Sequence, residues 1–77
     1  MKVEKIFNMT EKEYEKPELF NERVAKYLVK KYGCKHEDAI YSISNAVKFD
    51  WAICPREGKN GVGIQSSYDR TKLYVGI

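Results

Sequence analysis

Val47-Lys48-Phe49-Asp50-Trp51-Ala52-Ile53-Cys54-Pro55 is the stretch where the hydrophobic period of this chain changes. Upstream, Ile40, Ile43 and Val47 recur at helical spacing. From Val47 on, Val47, Phe49, Trp51 and Ile53 alternate with Lys48, Asp50, Ala52 and Cys54, the signature of a half-buried strand with the larger side chains on its apolar side. Residues 36–46 therefore read as a helix, opened by Glu37 and Asp38. Residues 47–53 read as a strand that Pro55 ends.

Downstream, Arg56-Glu57-Gly58-Lys59-Asn60-Gly61 is turn-rich, and Asn60-Gly61 is a strong turn signal. Val62 and Ile64 begin a second strand over 61–67. Tyr68-Asp69-Arg70-Thr71 reads as a turn, and Leu73, Val75 and Ile77 alternate in a third strand over 72–77. These three strands predict an antiparallel meander.

Upstream, Pro17 suits the first position of a helix over 17–32, where its missing N–H is harmless. Phe20, Val24, Tyr27 and Leu28 form the apolar stripe of that helix, and Gly33 is a natural left-handed stop. Thr10-Glu11-Lys12-Glu13 matches a capping box that opens a short helix over 10–16. Residues 2–9 mix apolar and charged side chains and favour a short strand. The expectation is a single α+β domain over 1–77, with N-terminal helices at 10–16, 17–32 and 36–46 packed on a C-terminal three-stranded meander.

The chain of 77 residues carries 14 Lys and Arg against 11 Asp and Glu, net +3. No segment has the dense basic clustering of a dedicated duplex-DNA binder. The first 25 residues show no apolar h-region and no apolar run nears 18 residues, which predicts neither signal peptide nor membrane span and a cytoplasmic location. Two cysteines in so short a chain fit a reducing compartment, with Cys34 and Cys54 both reduced as the leading expectation and a single Cys34–Cys54 bridge as the alternative.

Motifs for chemistry are sparse. Cys34, His36 and Cys54 lack the spacing and the fourth ligand of a zinc site. His36 is the only histidine, and two residues from Cys34 it has no recognised dyad spacing. Gly58-Lys59-Asn60-Gly61 has the G-x-x-G spacing that clamps nucleic-acid backbone between helices, yet here it joins strands. The helix that would read DNA in a winged helix-turn-helix begins with Glu37 and Asp38, which opposes entry into an anionic groove. No cofactor, metal or catalytic constellation is expected, and the chain reads as a non-enzyme.

What remains is binding. Six tyrosines outnumber three phenylalanines, and a small core cannot satisfy six buried hydroxyls. Tyr and Arg are enriched at interface hot spots. The leading expectation is a small interaction protein, of the kind found as accessory proteins of phage or mobile elements, that binds or inhibits a larger protein. Arg56, Lys59, Tyr68, Arg70, Lys72 and Tyr74 are the predicted partner-binding residues. Replacing Arg56 and Arg70 is expected to weaken binding and leave stability unchanged. The alternative is a nucleic-acid-binding module using the same basic positions, with Tyr68 and Tyr74 as stacking faces. A homodimer is also expected as an option, because so small a sheet has an edge to cover.

Overall fold

A computed structural model describes residues 1–77. Its element order is β1 (Val3–Asn8), α1 (Glu11–Glu15), α2 (Pro17–Tyr32), α3 (His36–Phe49), β2 (Trp51–Arg56), β3 (Lys59–Ser66) and β4 (Lys72–Gly76). The α+β class and the three N-terminal helices agree with the sequence reading. The sheet does not: it has four antiparallel strands in the order β1-β4-β3-β2, where three were expected. The additional strand is β1, which pairs with β4 from Val3↔Gly76 to Asn8↔Lys72. Its partner is the last strand of the chain, and only Phe7 of its six residues is buried, so local pattern carries little trace of the pairing.

The capping box forms as read, with Thr10 N–H donating to Glu13 Oε1 at 2.9 Å and Glu13 N–H to Thr10 Oγ1 at 3.3 Å. Glu13 is buried and meets Arg23 bidentately, at 2.8 and 2.9 Å, which ties α1 to α2. Gly33 ends α2 in the left-handed region at φ 77°.

Two boundaries move. α3 runs on to Phe49, so Val47 and Phe49 are helical, and the strand expected from 47 begins at Trp51. Val47 lies four residues after Ile43 and continues the helical stripe as well as it begins an alternation. Asp50, at φ 72°, makes the corner between helix and strand. The hairpin turn also falls earlier than Asn60-Gly61. Gly58 takes the positive φ, at 69°, Arg56 pairs with Lys59, and Asn60 and Gly61 lie inside β3.

The helices cover one face of the sheet and carry the chain from the β1 edge to the β2 edge. Phe20, Val24, Ala25 and Leu28 of α2, with Ala39, Ile43 and Ala46 of α3, meet Phe7, Cys54, Val62, Ile64, Leu73 and Val75 from the strands in one buried cluster. Burial of this kind contributes about 25 cal/mol per Å² of apolar surface. No helix is long and apolar enough to cross a membrane.

Candidate protein-binding surface

The face of the sheet turned away from the helices has no covering layer. In β2 the large and small apolar residues exchange the sides expected of them: Cys54 is fully buried and Ala52 is packed on the core, while Trp51 is 44% and Ile53 58% exposed. The reading that placed Trp51 and Ile53 on the buried side of a strand is corrected by this register. Under β2, where α3 sits against the strand, the core-facing side chains are the small ones, Ala52 and Cys54.

Cross-strand pairing arranges the open face in two rows. One runs Trp51–Gln65–Tyr74–Ile6, the other Ile53–Gly63–Gly76–Val3. The glycines floor the second row. A Cβ on Gly63 would come within 2.5 Å of Met1 Sδ and 2.8 Å of the Trp51 ring, and one on Gly61 would collide with Ile53 Cγ2. The result is a depression of about 250 Å³ bounded by Met1, Trp51, Ile53 and Ile77. Val3, Ile6, Met1 and Ile77 are exposed beside it. No Asp or Glu stands in either row, and Lys72 stands on β4 two residues from Tyr74.

The six residues singled out in the sequence do not gather. Arg56 and Lys59 stand at the β2–β3 end of the sheet. Tyr68, Arg70, Lys72 and Tyr74 stand at the other end, roughly 23 Å away along the eight residues of β3. Arg56 turns to the helix side, where its guanidinium lies 5.7 Å over the Tyr32 ring and its Nε donates to the Asn60 carbonyl at 2.7 Å. Arg70 donates to the Val47 carbonyl and, at 3.1 Å, to Asp50, so it closes the C-terminal end of α3. Both arginines hold the fold. Lys72, Tyr74 and the fully exposed Tyr68 do cluster around a shallow hollow at the β3–β4 turn. That turn is pinned by Asp69, which accepts from Ser67 Oγ, Thr71 Oγ1 and Thr71 N–H. The Thr71 hydroxyl first, then Ser67, hold the Asp69 carboxyl below its ordinary range.

The cysteines lie in the core as free thiols. Burial, and then the neighbouring Cys54, push the Cys34 thiol up to about 12, the opposite of what an attacking thiolate needs. His36 pairs with Glu22 at 2.8 Å on the surface, away from both thiols' buried setting. No three His, Cys, Asp or Glu side chains come together in an arrangement that could hold a metal ion.

The fold and site define an α+β domain with one helical layer and one open, apolar sheet face. Comparison with known proteins finds no matching family model, no significantly similar curated protein and no significantly similar solved structure.

Proposed function

We propose that this is a non-enzymatic, cytoplasmic binding protein that engages a larger protein through the open face of its sheet and acts by occluding that partner. The observation that carries the reading is the inversion in β2. The strand turns Ala52 and Cys54 to the core and presents Trp51 and Ile53 outward. Large contiguous exposed apolar surface marks interaction sites, and Trp and Tyr dominate their energetics. Tyr74, Lys72 and Tyr68 extend the surface at one end.

The test is a paired substitution on this face at opposite edges of the sheet, Trp51→Ala with Ile6→Ser. Both side chains point outward, so thermal stability should change by less than about 1 kcal/mol. Partner retention from host extract, followed by crosslinking and mass identification, should be lost, since each anchor is worth about 2 kcal/mol or more. Recovery of the same crosslinked species by the variant would refute the reading.

A second reading has one observation in its favour. Trp51, Gln65 and Tyr74 lie side by side in a row free of carboxylates, an arrangement on which unpaired bases stack. Trp51 is the only tryptophan, so its fluorescence reports directly. Quenching by a single-stranded oligonucleotide at about 50 mM salt that collapses by about 200 mM would favour nucleic acid. Unquenched emission at the lower salt sinks it.

A further inference from the structure

The outer edge of β2 is unpaired, and the direction of its backbone groups follows from one bond. Ser66 N–H donates to the Asp50 carbonyl at 3.0 Å, so pair 50/66 belongs to the bonded set. Bonded and non-bonded pairs alternate in an antiparallel ladder. Ala52 and Cys54, opposite Ile64 and Val62, therefore bond to β3, while Trp51, Ile53 and Pro55 aim their backbone groups away from the sheet. The Ser42 hydroxyl donates to the Ile53 carbonyl at 3.4 Å, on the side facing away from β3, which leaves that carbonyl one further lone pair for a second donor. The free donors of the edge are the N–H groups of Trp51 and Ile53.

Beside this edge runs a groove of about 560 Å³ between β2 and α3, whose walls include Asp38, Tyr41, Phe49, Trp51, Ile53 and Pro55. Tyr41 is 70% and Phe49 65% exposed. We infer that this edge is the interface of a twofold homodimer, in which β2 pairs antiparallel with β2 of a second copy about Ile53. The inference concerns the strand edge, which shares only Trp51 and Ile53 with the open face, and does not depend on the partner proposed for that face.

The edge is complementary to itself. In this register the two Ile53 residues exchange their N–H and C=O groups, and each Trp51 N–H reaches the Pro55 carbonyl of the other copy. Both free donors are used. The missing N–H of Pro55 leaves only a carbonyl of the opposite Trp51, which water satisfies.

The flanking helix fits the same symmetry. One residue, Asp50, separates α3 from β2, so the helix runs back along the strand. Phe49 lies at the level of Trp51, and Asp38 at the level of Pro55, with which it also shares a second hollow. A twofold axis at Ile53 sets the Pro55 level of one copy against the Trp51 level of the other. Asp38 then faces Lys48 of the second copy, whose ammonium sits 5.4 Å from the Phe49 ring, and Tyr41 faces Phe49. An acidic end meets a basic end twice.

The surface available suits such a contact. At about 200 Å² per aromatic side chain, the exposed parts of Tyr41 and Phe49 amount to about 270 Å², a third of the roughly 800 Å² each partner gives to a stable interface. Ile53, Pro55 and the edge backbone add to it.

Sedimentation equilibrium of the full chain from about 5 to about 500 µM tests this. The expected mass rises from 9.0 kDa towards twice that value. Ile53→Pro removes the central donors and should shift the midpoint to at least about tenfold higher concentration. Asp38→Lys and Lys48→Asp should each weaken the dimer about threefold or more, and the two together in one chain should restore it. The charge exchange keeps the test decisive if Ile53→Pro fails to fold. A chain that stays at 9.0 kDa throughout, including one whose edge takes only a foreign peptide strand, overturns the dimer. So does a dimer indifferent to the charge exchange. A monomer that still loses its partner on Trp51→Ala with Ile6→Ser would retire the dimer and leave the open-face reading standing.

Discussion

Arg70 and Glu13 show how much of the polar surface is structural. The Arg70 guanidinium closes the carbonyl end of α3 at Val47 and bridges to Asp50. Arg70→Ala should lower stability by about 1 kcal/mol in chemical denaturation and leave partner binding unaltered. That is the reverse of what a cationic contact residue would do, and of what the sequence suggested. Glu13 makes a pH prediction. Its bond from Arg23, the largest influence, and those from Thr10 outweigh burial and hold its carboxyl down at about 2, from an ordinary 4.5. A folded value below the unfolded one means the contribution is complete above pH 4.5 and is lost as pH falls through about 2. With Arg23 half in water, the amount is about 1–2 kcal/mol. Denaturation curves of Glu13→Gln and the parent should differ at pH 7 and converge near pH 2; parallel curves would remove the salt bridge from the account.

The elements differ in how far they could be read from their own residues. The capping box, Pro17 and the Gly33 stop place α1 and α2 because each signal is local and has one structural solution. The α3–β2 junction was misread because Val47 satisfies a helical and an alternating pattern at once. The corner depends on Asp50 adopting φ 72°, with Arg70 closing the helix end from 20 residues further along the chain. β1 was recognisable as extended, but its membership of the sheet depends on β4, at the far end of the chain. That pairing has a specific weak point. A Cβ on Gly76 would collide with the Lys2 carbonyl, so Gly76→Ala should push β1 off β4. Destabilisation of about 1–3 kcal/mol is expected. Hydrogen exchange should accelerate first in Lys5–Asn8, with the β2–β3 hairpin protected; uniform acceleration would mean that the sheet opens as one unit.

For the molecule as a whole, the candidate surface was legible only in part. Tyr68 and Tyr74 were expected at the surface because tyrosine in excess of what a core can satisfy must reach it, and Lys72 because it is one of the basic positions of the sheet. Trp51, Ile53, Ile6 and Val3 were missed because hydrophobicity alone does not say which face of a strand is covered. The side is decided by α2 and α3 packing on one face, where Ala52 and Cys54 of β2 meet the core. The same asymmetry sets a solubility expectation. A sheet with one open apolar face associates through it, so the Trp51→Ala, Ile6→Ser variant should remain clear at higher concentration than the parent in turbidity measurements. Equal onset would show that the exposed face is not what limits solubility.

Lys2 and Ile77 exchange both backbone hydrogen bonds, so residues 2 and 77 are neighbours. Met1 and Ile77 also bound the depression on the open face. An affinity tag or fluorescent fusion attached at either end would thus emerge at the same spot and shade the contact surface, and a negative interaction screen with such a fusion would carry little weight. The Glu57–Gly58 hairpin tip is the better attachment point. A short linker across the adjoining ends, with the chain reopened at that tip, would give a permuted form whose face is unobstructed.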